Sequence, residues 1–267
     1  MKNIRPAFKI HGGKYFLSPF VIENFPKNYE QYDYMEPYFG AGSVFLNKNI
    51  SEGRTQIIND IHPRLISILI ALRDESKEFI QRIKRITYSE RVFNRELKRT
   101  KFSDYMDEAI NEFVLRRMSR DGLKKAFSWS DRKRGGKPGD VNAWETITDI
   151  LPTISQKLKG VTILNKPAIK IIQAFDAPNV LCYADPPYIH SSRVSKDTYE
   201  YEMSIDDHEA MLNQLKRFNG KVIISGYHSD LYSTMLKDWR CVSKKVPNHS
   251  SQQKKKKLKT ELLWMNY

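Results

Sequence analysis

The stretch Val180-Leu181-Cys182-Tyr183-Ala184-Asp185-Pro186-Pro187-Tyr188 constrains the fold more than any other part of the chain. Its apolar first half reads as a buried strand, and that strand stops at two consecutive prolines. Proline donates no hydrogen bond to a strand ladder and keeps the residue before it extended, so Pro186-Pro187 must leave the sheet as a stiff loop. Asp185 and Tyr188 are thereby held at the carboxyl end of a strand, which is where open α/β sheets place their ligands.

Further apolar strand candidates occupy residues 32–37, 55–59, 161–164, 221–225 and 261–267. Helical periodicity is clearest over 63–73, 106–118 and 205–218, where Met211, Leu212, Leu215 and Phe218 share a face. Strands separated by helices predict a doubly wound, mainly parallel α/β sheet. The rhythm breaks over residues 76–165, which read as helices followed by the basic stretch DRKRGGKPGD, a run of turns. The predicted organisation is one domain built from residues 1–75 and 166–267, with residues 76–165 as an inserted, mostly helical subdomain.

Charge is concentrated rather than spread. The formal net charge is +14. Between Arg116 and Lys137, nine basic residues stand against Asp121 and Asp131, a net +7; between Lys244 and Lys259, seven lysines stand against no acid, another +7. The remainder of the chain is neutral. Two such segments are the footprint of a polyanion-binding surface, and nucleic acid is the expected partner. Cys182 and Cys241 lie in strand-like runs without metal-ligand spacing and are expected to be reduced core residues. Neither a membrane span nor an apolar signal-peptide centre is evident in MKNIRPAFKIHGGK or elsewhere, so a soluble, cytoplasmic protein is expected.

Met35-Glu36-Pro37-Tyr38-Phe39-Gly40-Ala41-Gly42-Ser43 follows the first strand and precedes a helix-like segment. Two glycines one residue apart let the backbone curl around a ligand at a helix amino terminus. Phe45 stands where a dinucleotide fingerprint has its third glycine, which disfavours NAD. Asp60 ends the second strand 24 residues after Glu36, where an acidic side chain can accept hydrogen bonds from ribose hydroxyls.

Taken in order, HGGK, EPYFGAGSVFLNK, NDIHPRLI, ADPPY and KTELLWMNY resemble the Dam-like DNA adenine-N6 methyltransferases of the D12 class, over nearly the whole chain and in the motif order of their alpha group. The resemblance implies a Rossmann-like methyltransferase sheet with a target-recognition insertion, S-adenosylmethionine as methyl donor, and adenine in double-stranded DNA as acceptor. It assigns Lys14, Glu36, Phe39, Gly40, Gly42, Asp60 and Asp185 to the cofactor, and Asp185, Pro186, Pro187 and Tyr188 to the chemistry. Ile10 departs from it, since Dam-like relatives often carry an aromatic residue there.

The chemistry follows from the residues as well. An exocyclic adenine amine is a poor nucleophile because its lone pair is delocalised into the ring. Asp185 and the Pro186 carbonyl can each accept one amine hydrogen bond, drawing the nitrogen toward tetrahedral geometry; positioning and charge complementarity do the rest. Neither a metal nor a covalent intermediate is required. A paired base must first be turned out of the duplex, and Tyr188 offers an aromatic face to receive it.

Arg116, Arg117, Arg120, Lys124, Arg132 and Arg134 in the insertion, with Lys254 and Lys255 near the end, are the candidates for DNA contact. Relatives that methylate GATC carry an Asn-Gly-Leu-x-Arg-x-Asn-like run where this chain reads Arg120-Asp121-Gly122-Leu123-Lys124-Lys125-Ala126, so GATC recognition is not assumed. Two other readings stay open at this level: cytosine-N4 methylation, which uses the same kind of site, and a catalytically inert nucleic-acid-binding protein on the same fold.

Overall fold

The structure is a computed structural model that describes residues 3–189, 200–247 and 258–267. It divides into two compact units. A helical unit comprises Met1–Phe16, Gly40–Asn47 and His62–Ile163; a sheet unit comprises Leu17–Phe39, Lys48–Ile61 and Leu164–Tyr267.

The sheet strands are β1 (Asp33–Glu36), β2 (Gln56–Asn59), β5 (Thr162–Leu164), β6 (Val180–Ala184), β7 (Lys221–Gly226), β8 (Arg240–Pro247) and β9 (Leu258–Met265). Their spatial order is β5-β2-β1-β6-β7-β9-β8. β2, β1, β6 and β7 run parallel to one another, whereas β9 is antiparallel to both β7 and β8. Strand order therefore reverses between β1 and β6, the doubly wound arrangement expected from the sequence, and the carboxyl ends of β1 and β6 lie side by side.

Helices α1 (Ser18–Glu23), α9 (Ala168–Ala174), α10 (Ile205–Lys216) and α11 (Asp230–Met235) belong to the sheet unit. Alternate residues of the central strands, Cys182 and Ala184 of β6 and Val222 and Ile224 of β7, form one core cluster with Ile171 and Ile172 of α9 and with Met211, Leu212 and Leu215 of α10. Each of the Val, Ile, Leu and Met side chains among them contributes about 1.5–3 kcal/mol when fully withdrawn from water. Ser204 begins α10 with a reciprocal capping box to Asp207, and the same hydrogen bonds hold the Asp207 carboxyl below its ordinary range.

The helical unit contains α2 (Ser43–Asn47), α3 (Pro63–Asp74), α4 (Ser76–Lys84), α5 (Glu90–Leu97), α6 (Tyr105–Met118), α7 (Gly139–Glu145) and α8 (Ile147–Leu158). The basic Gly-containing stretch forms a short hairpin of β3 (Lys133–Arg134) and β4 (Lys137–Pro138) around Gly135-Gly136. The core of the helical unit joins aliphatic residues such as Leu69, Leu72 and Leu151 to aromatic ones: Phe79 meets Phe113 edge-on at 5.3 Å, and the Trp144 indole donates to the Ile86 carbonyl. Within this unit α3 packs against α6 and α8.

Two expectations change. β8 was not among the strand candidates, although Cys241 was read in a strand-like run: its sequence, RCVSKKVP, carries the polar side chains of a sheet edge, which blur the apolar signal. Cys241, on that edge, is exposed rather than part of the core, while Cys182 is buried; both are free thiols. No helix among the described residues is long and apolar enough to cross a membrane.

Gly220, at the entrance to β7, approaches the chain closely: a Cβ there would collide with the carbonyl oxygens of Val180 and Ala177. Gly220→Ala is expected to lower the unfolding free energy by roughly 1–3 kcal/mol, the usual cost of overpacking, as measured by urea denaturation.

Candidate active site

The end of β1 is built around a buried carboxylate. Glu36 is 2% exposed, and the Tyr34 hydroxyl donates to its Oε2 at 2.8 Å. Burial, then the Glu36 charge, drives the Tyr34 hydroxyl far above its ordinary value. Beyond Glu36 the chain is pinned by Asn59 at the tip of β2. The Phe39 amide donates to the Asn59 carbonyl at 2.9 Å, while the Asn59 side chain donates to the carbonyls of Pro37 and Lys166 at 2.9 and 3.0 Å. Asp60 follows directly; its amide donates to Leu164, and its carbonyl accepts from Asn165 at 2.8 Å. His62, not Asp60, occupies the N-cap position of α3, with no side-chain cap hydrogen bond. Glu36, Phe39 and Asp60 are thus fixed at the carboxyl ends of two adjacent parallel strands.

β6 runs alongside β1, with Met35 opposite Cys182, and carries Asp185 to the same edge. The Ser225 hydroxyl, from β7, donates to Asp185 Oδ1 at 2.7 Å, and the Tyr183 hydroxyl lies 3.3 Å from the same Ser225 oxygen. Burial, then the Asp185 charge, pushes Tyr183 far above its ordinary range, so it remains a donor. Pro186 and Pro187 extend the chain with trans peptide bonds, and Tyr188 folds back to 6% exposure. Its hydroxyl donates to Glu261 of β9, and its ring meets Tyr227 edge-to-face at 4.6 Å and 75°.

The remaining cofactor candidates belong to the helical unit. Gly40 and Gly42 both adopt positive φ, 54° and 68°, a curl that L side chains rarely follow. Ile10 packs within 3.8 Å of the space that a Cβ on Gly40 would fill, which brings the amino-terminal segment to the glycine turn. On that segment Lys14 is buried, and its Nζ donates to the Gly12 carbonyl at 3.1 Å.

The basic candidates separate into two kinds. Arg116 is 3% exposed; it pairs with Glu112 at 2.7 Å, donates to the Gly122 carbonyl at 3.1 Å and meets His62 at 3.2 Å. It is a buried structural arginine and cannot serve as a DNA contact. Arg117 is half-buried, donates to the Ala143 carbonyl at 2.6 Å, and has its pKa lowered by burial to about 10. Lys124 Nζ binds both Glu112 oxygens, at 2.9 and 3.2 Å. Arg120 and Arg132 are exposed, as are Lys125, Lys133 and Trp129. Arg134 lies in β3 opposite Lys137, and Lys254 and Lys255 lie outside the described residues.

Sequence reading missed Ser225, Tyr227, Lys259 and Glu261. The signal for Glu261 was present as a lone carboxylate inside the apolar run TELLWM. Ser225 and Tyr227 carry no such mark, because their importance comes from β7 lying next to β6.

A mixed sheet whose parallel strands reverse order between β1 and β6, with acidic groups at that edge, defines an α/β class whose ligands bind at the switch point. The family model for D12 class N6 adenine-specific DNA methyltransferases matches residues 11–252, and the chain belongs to that family. It is similar to the DNA adenine methylase of Haemophilus influenzae, 25% identical over 188 residues, or 69% of this chain and 64% of that protein. It is also similar to the DNA adenine methylase of Escherichia coli K12, 37% identical over 81 residues, or 30% of this chain and 27% of that one. The chain thus spans less than two thirds of the length of these relatives. Among solved structures, the rRNA methyltransferase aviRa of Streptomyces viridochromogenes is similar at 12% identity and a TM-score of 0.35, covering 92% of this chain and 80% of that one.

The Glu112 cluster generates a pH prediction. Burial alone would raise the Glu112 carboxyl, but Arg116, Lys124 and Arg64 outweigh it and hold its pKa below the ordinary value. A carboxyl depressed in the folded state stabilises above its unfolded pKa of about 4.3, and that stability is lost as pH falls through the folded pKa. Stability measured by denaturant titration should therefore decline below about pH 4.3, and Glu112→Gln should flatten that acid limb while lowering stability at neutral pH.

Proposed function

We propose that the chain transfers a methyl group from S-adenosylmethionine to N6 of an adenine turned out of double-stranded DNA. The observation that carries this reading is the placement of Glu36 and Asp185 at the carboxyl ends of the adjacent parallel strands β1 and β6, in a chain of this family. The donor set fits the cofactor: a buried carboxylate suits an ammonium group, an acidic residue at the tip of β2 suits ribose hydroxyls, and a positive-φ glycine turn admits close backbone approach. When bound, S-adenosylmethionine supplies an electrophilic methyl group.

The residues of the chain do the rest by position. Asp185, held by Ser225, and the Pro186 carbonyl accept the two amine hydrogens, so that the amine lone pair points away from the base plane. Trans Pro186-Pro187 fixes the distance between Asp185 and Tyr188, whose ring receives the extruded base. Lys14, Phe39, Gly40 and Gly42 complete the cofactor set. Arg120, Arg132 and Arg134, with Lys254 and Lys255, supply cationic contacts to the DNA backbone or bases, which makes binding weaken with added salt. Residues 76–165 act as the target-recognition part, and the cytoplasm is the expected compartment.

Incubating mixed-sequence plasmid with methyl-labelled S-adenosylmethionine and digesting to nucleosides tests the reading. Label in N6-methyladenine is the expected outcome; label in N4-methylcytosine would replace the acceptor, and no label would leave a DNA-binding protein without this activity. Asp185→Ala should lower transfer by about 10²–10³-fold or more while calorimetric cofactor binding largely survives.

A further inference from the structure

We propose that Glu261 is a positioning residue for the methyl transfer inferred above, on which this proposal rests: from β9 it holds the Tyr188 ring in the orientation that receives the extruded base. Glu261 is 2% exposed, on an interior strand, with apolar Leu263 and Trp264 just beyond it. A buried carboxylate is costly unless it is hydrogen-bonded, and an apolar residue would serve the core alone better. Here the Tyr188 phenol donates to it, a charge-assisted bond. Burial, the Asp185 charge and then Glu261 itself keep the Tyr188 hydroxyl protonated, so the donor persists.

Two contacts divide the work of fixing the ring. The hydroxyl oxygen lies on the long axis of the tyrosine, so its bond to Glu261 sets where that axis points but leaves rotation about it free. The edge-to-face contact with Tyr227, at 4.6 Å and 75°, sets the rotation. Tyr227 is held from the same strand: Lys259, two residues before Glu261 and so on the same face of β9, places its Nζ 4.6 Å from the Tyr227 ring centre. β9 pairs with β7, Gly226 opposite Leu262, which places both grips beside the rings that follow β6 and β7.

The test uses the full chain, mixed-sequence duplex DNA and methyl-labelled S-adenosylmethionine, with kcat, KM for DNA and cofactor affinity measured separately. Tyr188→Phe and Glu261→Leu should each lower kcat about tenfold, the scale of one hydrogen bond, with cofactor affinity unchanged. Glu261→Gln, whose amide oxygen still accepts from a phenol, should stay within about threefold of wild type. The double variant Tyr188→Phe/Glu261→Leu should be no slower than the worse single variant, because both remove the same bond. Wild-type kcat in Glu261→Leu, additive losses in the double variant, or a Gln variant as slow as the Leu variant would overturn the proposal. If Glu261→Leu does not fold, Tyr188→Phe/Glu261→Gln decides: with the hydroxyl gone, the Gln substitution must be neutral, and any further loss of kcat overturns the proposal. An inactive wild type sinks the activity reading as well; an active wild type indifferent to Glu261 sinks this one alone.

Discussion

The parallel pairing of β1 with β6, Met35 opposite Cys182, joins segments almost 150 residues apart in the chain and sets the direction in which every other strand is added. β2 and β5 continue outward from β1, while β7, β9 and β8 continue from β6. Side chains at the two strand ends are therefore neighbours by construction. Pairing of this range carries a large loop-closure cost before it is rewarded, so it depends on the apolar cluster of Met35, Cys182, Ala184 and Ile224 beneath it.

Buried acids are treated differently in the two units. In the helical unit Glu112 is surrounded by Arg64, Arg116 and Lys124, an arrangement that neutralises charge and ties α3, α6 and the segment after α6 together. In the sheet unit Glu36 and Glu261 accept from phenols, of Tyr34 and Tyr188.

The sheet was readable because β6 and β7 carry continuous apolar runs, and the place of Asp185 at a strand end was readable because prolines can follow a strand only by leaving it. What the sequence hid were matters of neighbourhood. Arg116 looked like part of a basic surface, yet it lies four residues after Glu112 on the largely buried helix α6, and that spacing makes it an internal partner. β8 was hidden because an edge strand exposes polar side chains. The Ser225 hydroxyl acquires its role only from the β6–β7 pairing, which no local pattern in KVIISG reveals.

The position of β9 has a consequence for how the molecule comes into being. This strand, residues Leu258–Met265, is synthesised after β8 yet sits inside the sheet between β7 and β8. Until it has emerged from the ribosome, β7 and β8 each present an open row of backbone donors and acceptors, the kind of edge that invites pairing with a foreign chain.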